Sequence, residues 1–225
     1  GTTNRTYMAD YEGAIRENTG LLMKAHTRNF RITGFTHETG VGELVSLGRK
    51  HGIPTYYDAG SGWLISPAGE GLREEPDIAG ELAKGLDIIS FSGDKLPGAP
   101  QAGIILGAKP YIDRMKKNPL TRALRPDKFT LAGLESTFLL YLDPETARRE
   151  IPTLRMIHEG RATLKRVARS VAGQVRRRCP NVSVEVLPLE SEVGGGTLPD
   201  FVIPSFGVGL RPVGMTVQQF EARLR

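Results

Sequence analysis

The sequence is poor in the residues that build metal and disulfide frameworks. Its 225 residues include one cysteine, Cys179, and four histidines. A single cysteine excludes an internal disulfide and a cysteine-rich metal site, and it suits a reducing cytosol. No histidine, cysteine or carboxylate group has metal-ligand spacing, so no metal is predicted. No apolar run is long enough to span a bilayer, and no secretory h-region is present. A membrane partner is therefore not expected. The glycine-rich stretches match neither G-x-x-x-x-G-K-[ST] nor G-x-G-x-x-G, which excludes the common phosphate-loop and dinucleotide fingerprints. Internal repeats and low-complexity segments are absent. What remains is a composition of 39% hydrophobic and 24% charged residues, with a net charge of +5. That fits a folded chain with a sizeable core and an anionic partner, although the excess of positive charge is modest.

Short apolar runs alternate with helical patterns. Gly20–His26 reads as a buried strand. Gly42–Gly52 reads as a helix with a glycine stop, and Ile53–Gly62 as a strand ending at Asp58 in a glycine turn. Asp77–Gly85 is a short helix opened by an acidic cap. Leu86–Lys95 and Ala102–Gly107 are strands, joined by an irregular or hairpin-like step without a helix. Pro110–Asn118 and Asp127–Leu142 are helices. The pattern predicts an α/β fold, with a mainly parallel sheet and helices on both faces. From about residue 146 the character changes. Leu154–Arg178 reads as one long amphipathic helix, with Leu164, Val167, Ala168, Val171 and Val175 on its apolar face. "VSVEVLPL" and "DFVIPSFGVGL" follow as strands. The expected division is residues 1–145 as a large domain and 146–225 as a small α+β domain. The chain begins without an initiator methionine and stops inside a helical pattern at "FEARLR". It reads as a piece of a longer protein.

Ligands of open α/β sheets lie beyond the carboxyl ends of the strands. Three predicted strands end in polar, turn-rich segments: "HTRNFR", "DAGSG" and "SGDK". Parallel strands would bring His26, Asp58 and Lys95 to one crevice. A lysine amine and a strand-end aspartate are the two groups that pyridoxal phosphate needs most. The amine forms a Schiff base with the aldehyde, and the carboxylate keeps the ring nitrogen protonated. Ser92 could donate to the phosphate, and Gly60, Gly62, Gly93 and Gly98 allow close backbone approach. Taken singly, a strand-end aspartate is more often a turn residue and a loop lysine more often solvated.

The wording of the segments is more specific than their spacing. "GTTNRT", "DYEGAI", "HTRNFRITGFT", "DAGSG", "FSGDKLPGAPQAGII", "NPLTRALRPDKFTLAGLE" and "GGGTLPDFVIPS" follow one another in this chain. Together they resemble bacterial selenocysteine synthases, the L-seryl-tRNA(Sec) selenium transferases, over nearly the whole length. The resemblance implies a fold type I enzyme with pyridoxal 5'-phosphate as cofactor. It implies conversion of seryl-tRNA(Sec) to selenocysteinyl-tRNA(Sec) through an aminoacrylyl intermediate, with selenophosphate as selenium donor. Carried onto this chain, Lys95 is the Schiff-base lysine and Asp58 the partner of the ring nitrogen. Asp94 has an acid/base or positioning role, and Arg122 and Arg125 hold the anionic donor. His26 is a candidate contact to cofactor or substrate, with a structural role equally open. A cytoplasmic homo-oligomer, a dimer or ring of dimers, is implied, with no DNA partner. The alternatives are a truncated, non-catalytic homologue and another type I lyase or transferase.

The lysine turn departs from the family pattern at two positions, and the aspartate turn has Ala59 where leucine is common. "KLPGAP" stands where Lys-Leu-Leu-Gly-Gly-Pro is usual. Pro97 removes a backbone donor, and Ala99 would be costly if its position needs a positive φ. The basic run through Arg161, Lys165, Arg166, Arg169 and Arg176–Arg178 could touch tRNA phosphates, but a solvated helix face is the commoner role and the one expected.

Overall fold

A computed structural model of the chain describes residues 4–26, 34–65, 76–194 and 202–224. Two compact units divide between Arg155 and Met156.

The first unit is built on a four-stranded sheet in the order β1-β2-β3-β4. β1 (Leu22–Ala25), β2 (Thr55–Gly60) and β3 (Ile88–Ser92) are parallel, and β4 (Gly103–Gly107) is antiparallel to β3. The mainly parallel α/β expectation is met, and the step without a helix is an antiparallel return. α1 (Met8–Ala14) precedes β1, and α2 (Val41–His51) joins β1 to β2. Glu43 Oε2 accepts from the Gly40 amide at 2.7 Å at the start of α2. Gly52 closes the helix at φ 66°, after a last turn carrying Arg49, Lys50 and His51. Arg49 and Lys50 complement the carboxyl end of the helix dipole. α3 (Ile78–Ala83) is capped by Asp77, which accepts from the Ala79 and Gly80 amides.

Side chains alternate across the sheet. Tyr57, Ala59, Ile89 and Phe91 point to one face, where they meet Val41 and Val45 of α2 and Ile78 of α3. Burying each large apolar side chain there stabilises the fold by about 1.5–3 kcal/mol. The opposite face carries Met23, Ala25, Tyr56, Asp58, Ser90 and Ile105. Met23 and Ile105 are each 48% exposed. Register is pinned at the far end of the sheet. Asp87 Oδ2 accepts from the Thr55 amide at 2.8 Å and from the Thr55 hydroxyl at 2.9 Å.

Helices α4 (Lys109–Lys117), α5 (Pro119–Leu124), α6 (Lys128–Leu140) and α7 (Pro144–Glu150) complete this unit, and α8 (Pro152–Ile157) follows them. Two of the elements depart from the sequence reading. β2 continues past Asp58 to Gly60, with a register shift between these residues. The small residues Ala59 and Gly60 admit such a bulge. The helix expected over Leu154–Arg178 is two helices. α8 stops at Ile157, and α9 (Arg161–Arg178) restarts after Gly160, which sits extended at its N-cap (φ −68°, ψ 138°). Glycine is a poor interior helix residue and an acceptable cap.

The second unit packs α9 on a two-stranded antiparallel hairpin of β5 (Val182–Glu192) and β6 (Val202–Pro212), followed by α10 (Val217–Leu224). Ala168 and Ala172 are buried, with Leu164 and Val175 half-buried on the same side. Val167 and Val171, expected on the apolar face, are exposed instead. The small alanines let α9 approach the hairpin closely, which turns the two valines outward.

Candidate functional site

The carboxyl ends of β1, β2 and β3 lie side by side. Ala25 is in register with Asp58, and Asp58 with Ser90. The His26 amide donates to the Asp58 carbonyl at 2.9 Å. Ser90 Oγ donates to Asp58 Oδ1 at 3.2 Å and lies 2.7 Å from the Tyr56 hydroxyl. A chain of two hydroxyls therefore aligns the aspartate on the half-open face of the sheet. Ser90 and Tyr56 were not singled out from the sequence. The signal was available: both share the parity of Asp58 once β2 and β3 are paired.

Past the strands, two loops are tied together. The Leu96 amide donates to the Ser61 carbonyl at 3.2 Å. This bond sets the residue after Lys95 against the third residue after Asp58. The lysine turn is held from several sides. The Gly93 amide donates to Ala102, the Ala99 amide to Gly93, and the Gly98 amide to the Lys95 carbonyl, all at 2.9–3.0 Å. The Tyr141 hydroxyl at the end of α6 donates to the Pro97 carbonyl at 3.0 Å. Burial pushes the Tyr141 phenol well above its ordinary range, so it remains a donor. Leu96 and Pro97 are fully buried, and Lys95 is half-buried.

Pro97 and Ala99 are accommodated in this turn. The left-handed residue is Gly98 (φ 65°). The Ala99 amide is hydrogen-bonded, and the Pro97 ring packs in the core beside Gly62. Gly62 itself has φ 77°, and a Cβ there would lie 2.6 Å from the Phe91 ring and 3.0 Å from Pro97 Cγ. Only glycine fits both demands. The next residue, Trp63, is the sole tryptophan and is 1% exposed. Its indole N–H has no hydrogen-bond partner among the described residues.

The predicted residues thus fall into two groups. His26, Asp58, Gly60, Ser92, Asp94 and Lys95 belong to adjacent strand ends and the turns that follow them. Asp94 is exposed, and Ser92 pairs with Gly103 at the last register position of β3. Arg122 and Arg125 lie apart in sequence and are exposed at the end of α5. They do not share a helical turn. α5 ends at Leu124, and Arg125 is extended at ψ 140°, ahead of Pro126. A residue before proline is pushed out of the helical region. Most of "HTRNFR" lies outside the described residues. Among those described, no group of three or more His, Cys, Asp or Glu could hold a metal ion.

The donor set fits pyridoxal phosphate. One amine, one aligned carboxylate and a strand-end hydroxyl occupy neighbouring positions, and the carboxylate faces the half-open side of the sheet rather than the core.

Known proteins extend these observations. A likeness to the solved structure of D-glucosaminate-6-phosphate ammonia-lyase covers 100% of this chain and 51% of that one, with TM-score 0.61 and 22% identity. It bears on the fold alone. The L-seryl-tRNA(Sec) selenium transferase of Maridesulfovibrio salexigens is 51% identical over 226 residues, and that of Alkaliphilus metalliredigens 45% over 225. Both alignments cover 100% of this chain but only 49% and 48% of the relatives. The chain therefore spans about half the length of the curated relatives it matches. The family model described as L-seryl-tRNA selenium transferase matches residues 1–225. With that match along its full length, the chain belongs to the L-seryl-tRNA selenium transferase family.

Proposed function

We propose that this chain carries the cofactor-binding part of an enzyme that converts seryl-tRNA(Sec) to selenocysteinyl-tRNA(Sec). The observation that carries the reading is the pairing of Asp58, aligned by Ser90, with a lysine turn tied to the same strand ends. Net, the serine Cβ–OH bond is replaced by Cβ–Se, and the donor's Se–P bond is split by water to give phosphate. Pyridoxal phosphate, when bound, supplies an electron sink for a carbanion at the serine Cα.

The residues of the chain do the rest. Asp58 holds a proton on the ring nitrogen. Ser90 and Tyr56 keep its carboxylate in one orientation. Lys95 would anchor the cofactor, and its amine is the base that would take the proton from Cα. Ser92 donates to the cofactor phosphate, and Gly60 leaves room for the ring. His26 contacts the cofactor or substrate from the neighbouring strand, and Asp94 positions the lysine turn. Arg122 and Arg125 grip the phosphate end of selenophosphate, for which a planar guanidinium is suited.

Leu124, between the two arginines, and Phe129, after them, are 79% and 91% exposed. Such apolar exposure supports a subunit interface here, and hence a homo-oligomer. Among the described residues no helix is long and apolar enough to cross a membrane. An aminoacyl-tRNA substrate argues for a cytoplasmic site of action. The test is turnover of seryl-tRNA(Sec) with selenophosphate by the whole protein that carries this chain. Selenocysteinyl-tRNA is expected, with loss of product in Lys95→Ala. Release of pyruvate without selenium transfer would instead support a type I lyase.

A further inference from the structure

The functional reading leaves a strongly charged helix face unused. α9 carries seven cations, Arg161, Lys165, Arg166, Arg169, Arg176, Arg177 and Arg178, and contains no Asp or Glu. At 100° per residue all but Arg178 fall within about 160° of the helix circumference, and these six form a stripe. The stripe runs alongside the line Leu164, Ala168, Ala172 and Val175 that faces the hairpin. It is therefore a flank of the unit rather than a scatter of charge around a solvated helix. From Arg161 to Arg177 it extends about 24 Å at 1.5 Å per residue.

Three of the six are fixed by the fold. Arg161 and Lys165 both lie over the Phe206 ring of β6, each 5.4 Å from its centroid. Arg176 Nη2 donates to the Val184 carbonyl of β5 at 2.7 Å. The first two contacts set the charged heads over an aromatic face and the third uses one donor, and none of them brings a carboxylate to the positive charge. None of the six forms an ion pair among the described residues. Ion pairs do occur in the first unit, for example Lys24 with Glu38 at 2.9 Å and Lys84 with Glu81 at 2.8 Å. A row of one sign, mostly arginine and partly pre-ordered, matches a polymer with evenly repeated phosphates. A protein partner would want apolar anchors within the stripe, and there are none. The two exposed valines of α9, Val167 and Val171, lie on its other side.

We propose that the α9 stripe binds the phosphate backbone of a structured RNA, the body of the tRNA that carries the substrate. This rests on the functional reading above. The stripe supplies affinity and orientation, and sequence recognition lies elsewhere, because phosphate contacts carry no base information.

The test uses the whole protein, a tRNA(Sec) transcript, and the variant Arg166→Glu/Arg169→Glu/Arg177→Glu. These three residues make no fold-anchoring contact, so the hairpin packing is untouched. Each lost phosphate contact lowers the slope of log K against log salt by about 0.7–0.9. Three contacts lower it by about 2–3, so a fourfold rise in salt weakens the unsubstituted protein about 20- to 40-fold more than the variant. The variant should raise KM for seryl-tRNA, with kcat and cofactor uptake unchanged. If the unsubstituted protein binds the transcript and the variant binds it equally, with the same salt slope, the stripe is not an RNA surface. A change in oligomeric mass with an unchanged slope would make it a protein interface and overturn the proposal. Failure of the unsubstituted protein to bind tRNA overturns the functional reading as well. Should the reversed charges prevent folding, Arg→Gln at the same three positions decides by the same slopes.

Discussion

Gly62→Ala tests the link between the fold and the lysine turn. The substitution imposes two separable costs. The first is backbone: φ at Gly62 is 77°, where a side-chain-bearing residue loses about 1–2 kcal/mol. The second is steric: the new Cβ would sit 2.6 Å from the Phe91 ring and 3.0 Å from Pro97 Cγ. Phe91 is buried and Pro97 fully so, and overpacking of that kind costs about 1–3 kcal/mol. The sum is about 2–5 kcal/mol. Gly52→Ala isolates the first cost. Its φ is 66°, and nothing lies within 4 Å of its Cβ. The difference between the two variants is therefore the steric term, about 1–3 kcal/mol, or roughly 2–12 °C in thermal midpoint for a domain of this size. Relief of the clash requires Phe91 or Pro97 to move, and Pro97 is two residues from Lys95. Gly62→Ala should therefore lose cofactor uptake while Gly52→Ala keeps it. Fluorescence of Trp63, the adjacent and only tryptophan, reports the melt locally. Equal midpoints for the two variants, with cofactor uptake unchanged in both, would refute the close packing of strand end and lysine turn.

Ser90→Ala removes the donor to Asp58 and should weaken pyridoxal phosphate binding by up to about tenfold, as a lost hydrogen bond of about 0.5–1.5 kcal/mol implies; titration of the cofactor measures it, and unchanged affinity would remove Ser90 from the site. Tyr141→Phe should destabilise by a similar amount through the lost bond to Pro97. Because burial raises the Tyr141 pKa, its contribution is complete below pH about 10 and is lost as pH rises further. The midpoints of Tyr141→Phe and the unsubstituted protein should therefore converge in strong base. Asp127 caps α6 through bonds to the Phe129 and Thr130 amides, which hold its carboxyl below the usual range. That contribution is present above pH about 4 and lost as pH falls. Asp127→Ala should lower the midpoint at neutral pH and make no difference in strong acid.

The legible parts of the fold were those set by local chemistry. Gly52 and Asp77 marked helix ends because a left-handed stop and an acidic cap are nearly context-free. The apolar runs of β1–β3 announced a parallel sheet because both faces of such strands tend to be covered. The break at Gly160 was hidden because the flanking apolar spacing continues through it. The bulge after Asp58 was hidden because pairing, not composition, creates it. Asp58 and Lys95 were readable as a pair only through topology and wording, since each residue alone is ordinary. Ser90 and Tyr56 were missed because strand parity matters only once a neighbour's register is known.

The central claim is that Lys95 is the cofactor-anchoring amine opposite Asp58. The direct measurement is borohydride reduction of the whole protein after incubation with pyridoxal phosphate, followed by peptide mass mapping. The account predicts one phosphopyridoxyl mass, on the peptide that contains Lys95, and its loss in Lys95→Ala with the fold retained. An adduct on another lysine, or none on Lys95 in the folded protein, would contradict it.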